Sequence, residues 1–211
     1  MKSPSLHKLG LGSGQAVTLF ERLCPNWLEE AAALQPSEYV ARTWQRYEND
    51  QAAHGSQANQ SLNGKFFELT LATLLIGRRV LPIYLGAKVA FVPNIVYDLI
   101  LYVESLGPVC ISAKTSLRER YKQADLEAVA LKFVHRRARY YLVTLSSAEA
   151  GSLKQKLSNG ELLGVDKVVL ANQPELNALV EELEQMRRIE SPRVSVIDSA
   201  VVVREADLSG A

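Results

Sequence analysis

The chain has 211 residues, 47% apolar, 22% charged and 7% aromatic. That is ample apolar material for one compact domain. The 24 basic and 23 acidic side chains nearly cancel, which excludes both a strongly basic tail-type protein and a disordered acidic chain. The longest mostly apolar run, Leu69 to Ile76, ends at Gly77-Arg78-Arg79. A bilayer span needs roughly 20 apolar residues, so no membrane partner is expected. The segment MKSPSLHKLGLGSG holds no continuous apolar stretch, so no secretory signal is expected. Cys24 and Cys110 lie in unlike contexts; a disulfide framework is not expected, and a reducing cytoplasm is the default location.

Residues 15–48 read as helical: Val17, Leu19, Phe20, Leu23, Trp27, Leu28 and Ala31 recur near a 3.6-residue period, and Pro25 and Pro36 divide the region into short helices. Trp44 and Tyr47 share a face beside Arg42 and Arg46, a pattern read first as the edge of a core and second as a nucleic-acid contact. Residues 49–64 carry one large apolar side chain, Leu62, and read as a loop or a polar, surface-exposed segment. Residues 65–76, KFFELTLATLLI, are apolar nearly all round, the pattern of a buried helix, with Glu68 aimed at apolar neighbours. Strands are predicted at Val80–Tyr84, Lys88–Val92, Ile95–Val103 and Pro108–Lys114. A helix follows over 116–134, then a strand at 139–145, a helix at 147–157, a strand at 167–171, a helix at 175–188 and a short strand at 194–197. The fold class is α/β with a mixed central sheet.

Several motifs fail. GLGSG at residues 10–14 follows no strand and precedes no Lys-Ser/Thr, so it is not a phosphate loop. His7, His54 and His135 are scattered, which argues against zinc. Cys110, in VCIS, is a core residue. Residues 114–140 hold eight Lys/Arg against three Asp/Glu. On charge alone the plainer reading is a solvated helix face, and a polyanion-binding face is the alternative.

The informative stretch is 98–127. Asp98 interrupts a strand of Val, Ile and Leu, where an unpaired buried acid is costly. Strand alternation puts Ser112 and Lys114 on one face. On the next helix Glu127 falls within the arc of Leu117, Tyr121, Ala124, Ala128, Leu131 and Val134. Three acids, Glu68, Asp98 and Glu127, thus point inward beside a lysine. Carboxylates so placed repel unless a cation joins them, and a hard divalent ion answers that need. The nearby lysine then points to phosphate chemistry.

Ser112-Ala113-Lys114, followed thirteen positions later by Glu127, resembles the active-site signature of type II restriction endonucleases of the EcoRII, PspGI and NgoMIV group. These belong to the PD-(D/E)xK nuclease superfamily. In that group the acid before x-K is replaced, and a glutamate on the following helix takes its role. The run K-T-S-L-R-E-R-Y-K-Q resembles the segment where that branch reads C:G pairs, and Glu68 in G-K-F-F-E-L is similar to the acid of the first core helix. The likeness covers roughly residues 64–145; Tyr97-Asp98 stands where the family often has Pro-Asp.

The resemblance implies a restriction-endonuclease-like core over 64–211 and an N-terminal helical, DNA-engaging region over 1–63. It implies a homodimer cutting double-stranded DNA with Mg²⁺ at a short palindromic site with C:G pairs, CC/GG at its core. Asp98, Glu127 and the carbonyl of Ala113 would hold the metal. Lys114 would act at the reacting phosphate, with Ser112 and Glu68 beside it. Arg118, Glu119, Arg120 and Lys122 would contact DNA, with Glu119 and Arg120 reading base edges. Ser116-x-x-Glu119 is also a capping box, which would occupy Glu119 at the helix start. Two rival functions remain: a repair or structure-specific nuclease of the same fold, and a non-catalytic DNA-binding protein.

Overall fold

The structure, a computed structural model, describes residues 3–54, 59–92, 94–118, 120–192, 197–198 and 201–209. Three helices open the chain: α1 (Gln15–Leu23), α2 (Trp27–Ala33) and α3 (Pro36–Ala53). They pack on α4 (Gln60–Gly77), which buries twelve residues from Leu62 to Gly77 and so confirms the all-round apolar pattern. α2 approaches α4 so closely that a Cβ at Gly77 would lie 2.4 Å from that of Ala31. Trp44 and Tyr47 belong to the edge of this core: Tyr47 stacks on Phe66 at 4.3 Å, while Arg42 pairs with Glu38 and Arg46 with Glu30.

The polar stretch at 49–64 is not a long loop. α3 runs to Ala53, and α4 starts at Gln60, where Asn59 caps it by accepting the Leu62 N–H at 3.1 Å. Polarity here marks solvated helix turns, since a helix end needs a cap more than an apolar face. The helix therefore begins inside the region assigned from sequence to the N-terminal part.

Seven strands form one mixed sheet among the described residues: β1 (Ile83–Val89), β2 (Tyr97–Val103), β3 (Gly107–Lys114), β4 (Arg139–Thr144), β5 (Lys167–Leu170), β6 (Ile197–Asp198) and β7 (Val201–Val203). The order is β5-β4-β3-β2-β1-β6, with β7 also on β1. The hairpin-linked β1, β2 and β3 are antiparallel; β3, β4 and β5 are parallel. Between the parallel strands run α5 (Arg120–Val134) and α6 (Ser147–Ser158), with α7 (Pro174–Gln185) and the short α8 (Glu205–Ser209) following. The two strands predicted at 80–84 and 88–92 are one, because the β1–β2 register runs unbroken past Gly86. Of the strand predicted at 194–197, residues 194–196 lie outside the described residues.

One face of the sheet, with Leu99, Leu101, Ile111, Tyr141 and Val143, joins the core of α1–α4 and α7. The other, with Ile100, Cys110, Tyr140 and Leu142, is covered by Ala124, Ala128 and Leu131 of α5 and by Leu153 of α6. Cys24 and Cys110 are buried free thiols, one in each core. Among the described residues no helix is long and apolar enough to cross a membrane.

Candidate active site

β2 runs antiparallel to β3, with Leu99 opposite Ile111 and Ile100 opposite Cys110. One step along that register brings Asp98, at the start of β2, level with Ser112 near the end of β3. Asp98 is therefore not an isolated acid in an apolar strand. Its Oδ2 accepts from the Ser112 hydroxyl at 3.1 Å, the Ala113 backbone N–H at 2.8 Å and the Lys114 ammonium at 3.0 Å. Three donors on one oxygen, one of them charged, compensate a carboxylate whose side chain is only 16% exposed. On the other flank, Gly86 lies across from Asp98 in the β1–β2 register. It has φ +56, and open space surrounds the place where its side chain would be.

Glu127 sits on the sheet-facing side of α5, half-buried. The Tyr140 hydroxyl donates to its Oε2 at 3.0 Å, the Gln123 side-chain amide donates to its Oε1 at 2.8 Å, and the Tyr97 hydroxyl donates to its backbone carbonyl at 3.2 Å. Tyr140 is the residue that sequence reasoning missed. Burial first, then the Glu127 charge, pushes the pKa of its phenol far up. It remains a neutral donor. Its only advance signal was strand alternation placing it on the face of Leu142; that this face meets Cys110 and Ser112 followed only from the parallel β3–β4 register.

Glu68, on α4, accepts from Lys65 at 2.8 Å. Burial raises its pKa, the Asp98 charge adds to the rise, and Lys65 and Lys114 oppose it. Glu68 thus lies within the electrostatic field of the Asp98–Lys114 pair. The two inward acids of the sheet side share a field as well: the buried Cys110 thiol is pushed well up by its desolvation, and by Asp98 and Glu127 together.

The structure brings Asp98, Ser112, Ala113 and Lys114 into one hydrogen-bonded cluster, while the Glu127 side chain is held separately by Tyr140 and Gln123. The DNA-contact candidates stand apart from that cluster. Arg118 lies in the turn before α5 at φ +33, and Arg118, Arg120 and Lys122 are exposed. Lys122 lies 5.8 Å from the Tyr121 ring centroid. Among the described residues Arg120, Arg136 and Arg137 make no ion pair. Glu119 lies outside the described residues. Ser116 does not cap α5, which starts only at Arg120. The preceding turn is held instead by Glu149 of α6, which accepts the N–H groups of Leu117 and Arg118 at 2.8 and 3.0 Å.

Asp98, Glu127 and the Ala113 carbonyl offer only oxygen ligands. Among the described residues no three His, Cys, Asp or Glu side chains come together to hold a metal ion. A donor set of two carboxylates and a carbonyl is of the kind that hard cations such as Mg²⁺ take, and it contains none of the nitrogen and sulfur ligands that predominate at zinc.

No protein-family model and no curated protein matches this sequence. Among solved structures, the restriction endonuclease PspGI in complex with its substrate DNA is similar to this chain at a TM-score of 0.53 and 18% identity, over 90% of this chain and 83% of that one. The arrangement of the mixed sheet and its flanking helices is that of the restriction-endonuclease-like fold.

Proposed function

We propose that this protein is a Mg²⁺-dependent endonuclease of the type II restriction class, which cuts double-stranded DNA at a short palindromic site containing C:G pairs. The observation that carries the reading is the cluster at the ends of β2 and β3, where Asp98 gathers Ser112, Ala113 and Lys114. Its fold likeness to a DNA-bound restriction endonuclease supports the same reading.

Asp98, Glu127 and the Ala113 carbonyl would hold the cation. When bound, Mg²⁺ supplies a Lewis acid and lowers the pKa of water at the scissile phosphate. Lys114 orients the attacking water and offsets the negative charge that builds on phosphorus during in-line displacement. Ser112 keeps Asp98 oriented, and Glu68 supports the Asp98–Lys114 pair from α4. Arg118, Glu119, Arg120 and Lys122, around the start of α5, would meet the DNA, with residues 1–63 engaging it from the helical side. Action as a cytoplasmic homodimer follows from this reading, since a two-fold protein matches a palindromic site.

The test is digestion of a sequenced phage genome by the purified protein, with and without Mg²⁺, followed by mapping of the fragment ends. Ends that share one short sequence support the proposal. Mg²⁺-dependent cutting at unrelated ends, or only at branched or damaged DNA, favours a repair or structure-specific nuclease. DNA binding without any cutting in Mg²⁺ would refute the enzymatic reading.

A further inference from the structure

The two carboxylates assigned to the cation come from different layers of the molecule. Asp98 is fixed by the sheet, with three donors on one oxygen. Glu127 rides on a helix, and its side chain has no bond to the Asp98 cluster itself. Its outer oxygen is held by Gln123, an exposed neighbour one turn earlier on the same helix, and that bond cannot fix the helix relative to the sheet. The hold on the sheet side comes from Tyr140 of β4. Tyr140 is 1% exposed and donates to Glu127 at 3.0 Å. Tyr97 of β2 also reaches α5, but it donates to the Glu127 backbone carbonyl and so ties the helix, not the carboxylate, to the sheet. Tyr140 is thus the buried group that holds the Glu127 side chain.

We propose that Tyr140 is a positioning residue, whose hydroxyl sets Glu127 at the separation from Asp98 that a divalent cation needs. The proposal rests on the reading of Asp98 and Glu127 as the cation's ligands. Tyr140 does not touch the cation or the DNA. A carboxylate has about four lone-pair sites, so Glu127 can accept from Tyr140 and still face a metal. Without that hydroxyl the glutamate keeps only its exposed partner and samples several rotamers, so ligand preorganisation is lost while the ring still fills the core.

The decisive variant is Tyr140→Phe, which keeps the ring. Mn²⁺ is titrated into the full-length protein and free Mn²⁺ is read by electron paramagnetic resonance. Loss of the oxygen should weaken Mn²⁺ binding by roughly 10- to 100-fold, the usual effect of removing a group that orients a metal ligand. The Mg²⁺ concentration for half-maximal cleavage should rise by a similar factor, with KM for DNA little changed. Tyr141→Phe is the control. It is the next residue on β4, faces the opposite core and bonds Glu182 at 2.8 Å, so its Mn²⁺ affinity should stay within about twofold of wild type. Gln123→Ala is a second variant that stands if Tyr140→Phe folds poorly: with Tyr140 in place its Mn²⁺ affinity should stay near wild type, and a loss of about 10-fold would overturn Tyr140 as the group that sets Glu127.

Wild-type Mn²⁺ affinity in the folded Tyr140→Phe protein overturns the proposal, as does an equal loss in Tyr141→Phe. Wild-type protein whose Mn²⁺ binding is indifferent to Asp98→Asn and Glu127→Gln overturns it too. Mn²⁺ binding that depends on Asp98, Glu127 and Tyr140 in a protein that cuts no DNA leaves the positioning role intact and removes the nuclease reading.

Discussion

The carboxylate of Glu149, on α6, accepts the backbone N–H of Leu117 at 2.8 Å and so holds the turn from which α5 departs. The same carboxylate takes Arg118 N–H at 3.0 Å. Burial works to raise the Glu149 pKa, but these two N–H groups, helped by Ser146 and Arg118, bring it below the ordinary carboxylate value. A depressed folded-state pKa means stability that is present above the unfolded-state pKa and lost as the pH falls through the folded one. Glu149→Ala should therefore cost about 1 kcal/mol at neutral pH, and the difference from wild type should shrink in acid. Urea unfolding across a pH series checks this. Equal stability at neutral pH would show that the turn needs no tether.

Lys114→Ala should abolish cleavage and leave specific DNA binding largely intact, because the ammonium bonds Asp98 and, on the proposed reading, acts at the phosphate and not at base edges. Asp98→Asn and Glu127→Gln should lose Mg²⁺-dependent cleavage to a similar degree. Plasmid nicking measures the first effect and gel shift in Ca²⁺ the second. Normal cutting by Glu127→Gln beside a dead Asp98→Asn would shift the second ligand role to Glu68.

Glu68 is perturbed in the opposite sense from Glu149. Its raised pKa means that the folded protein resists its ionisation, a penalty present in full above the folded-state pKa and gone below the unfolded-state one. Glu68→Gln should stabilise the metal-free protein at neutral pH and have no effect in acid, even though it gives up the partly exposed pairing with Lys65. Thermal unfolding at several pH values is the measurement. A lower Tm at neutral pH would mean that the Lys65 pair outweighs the burial.

Arg120 stands at the first residue of α5, exposed and with no ion-pair partner among the described residues. If it reads guanine, Arg120→Ala should cost about 1–3 kcal/mol and relax discrimination at one C:G pair. Loss of a lysine that only meets phosphate should weaken all sequences alike and flatten the salt dependence. Competition binding against single-base variants in Ca²⁺ separates the two. An unchanged preference at every position would leave Arg120 as a backbone contact.

Much of this site was legible because its residues violate their surroundings. An aspartate inside NIVYDLILYVE and a glutamate within an all-apolar helix are costly without partners, so partners could be inferred. The partners that look ordinary were not legible. A tyrosine in a Val- and Leu-rich strand reads as core, and nothing local tells Tyr140 that Glu127 lies above it. The same holds for Glu149, which sits in a plain surface helix and serves a turn 32 residues away. At 49–64 the choice between a loop and a polar surface segment stayed open for a different reason: hydrophobic periodicity cannot see helix ends that are solvated on every side.

α4 anchors its side of the sheet with twelve buried residues, while α5 buries three, of which Ala124 and Ala128 are alanines. Apolar burial scales with area, so α5 leaves far more cheaply than α4. It carries Glu127 away when it does. Warming should thus silence the protein at a temperature where the sheet still stands, and cooling should return the same molecules to work, since detaching one helix is a local opening and not global unfolding.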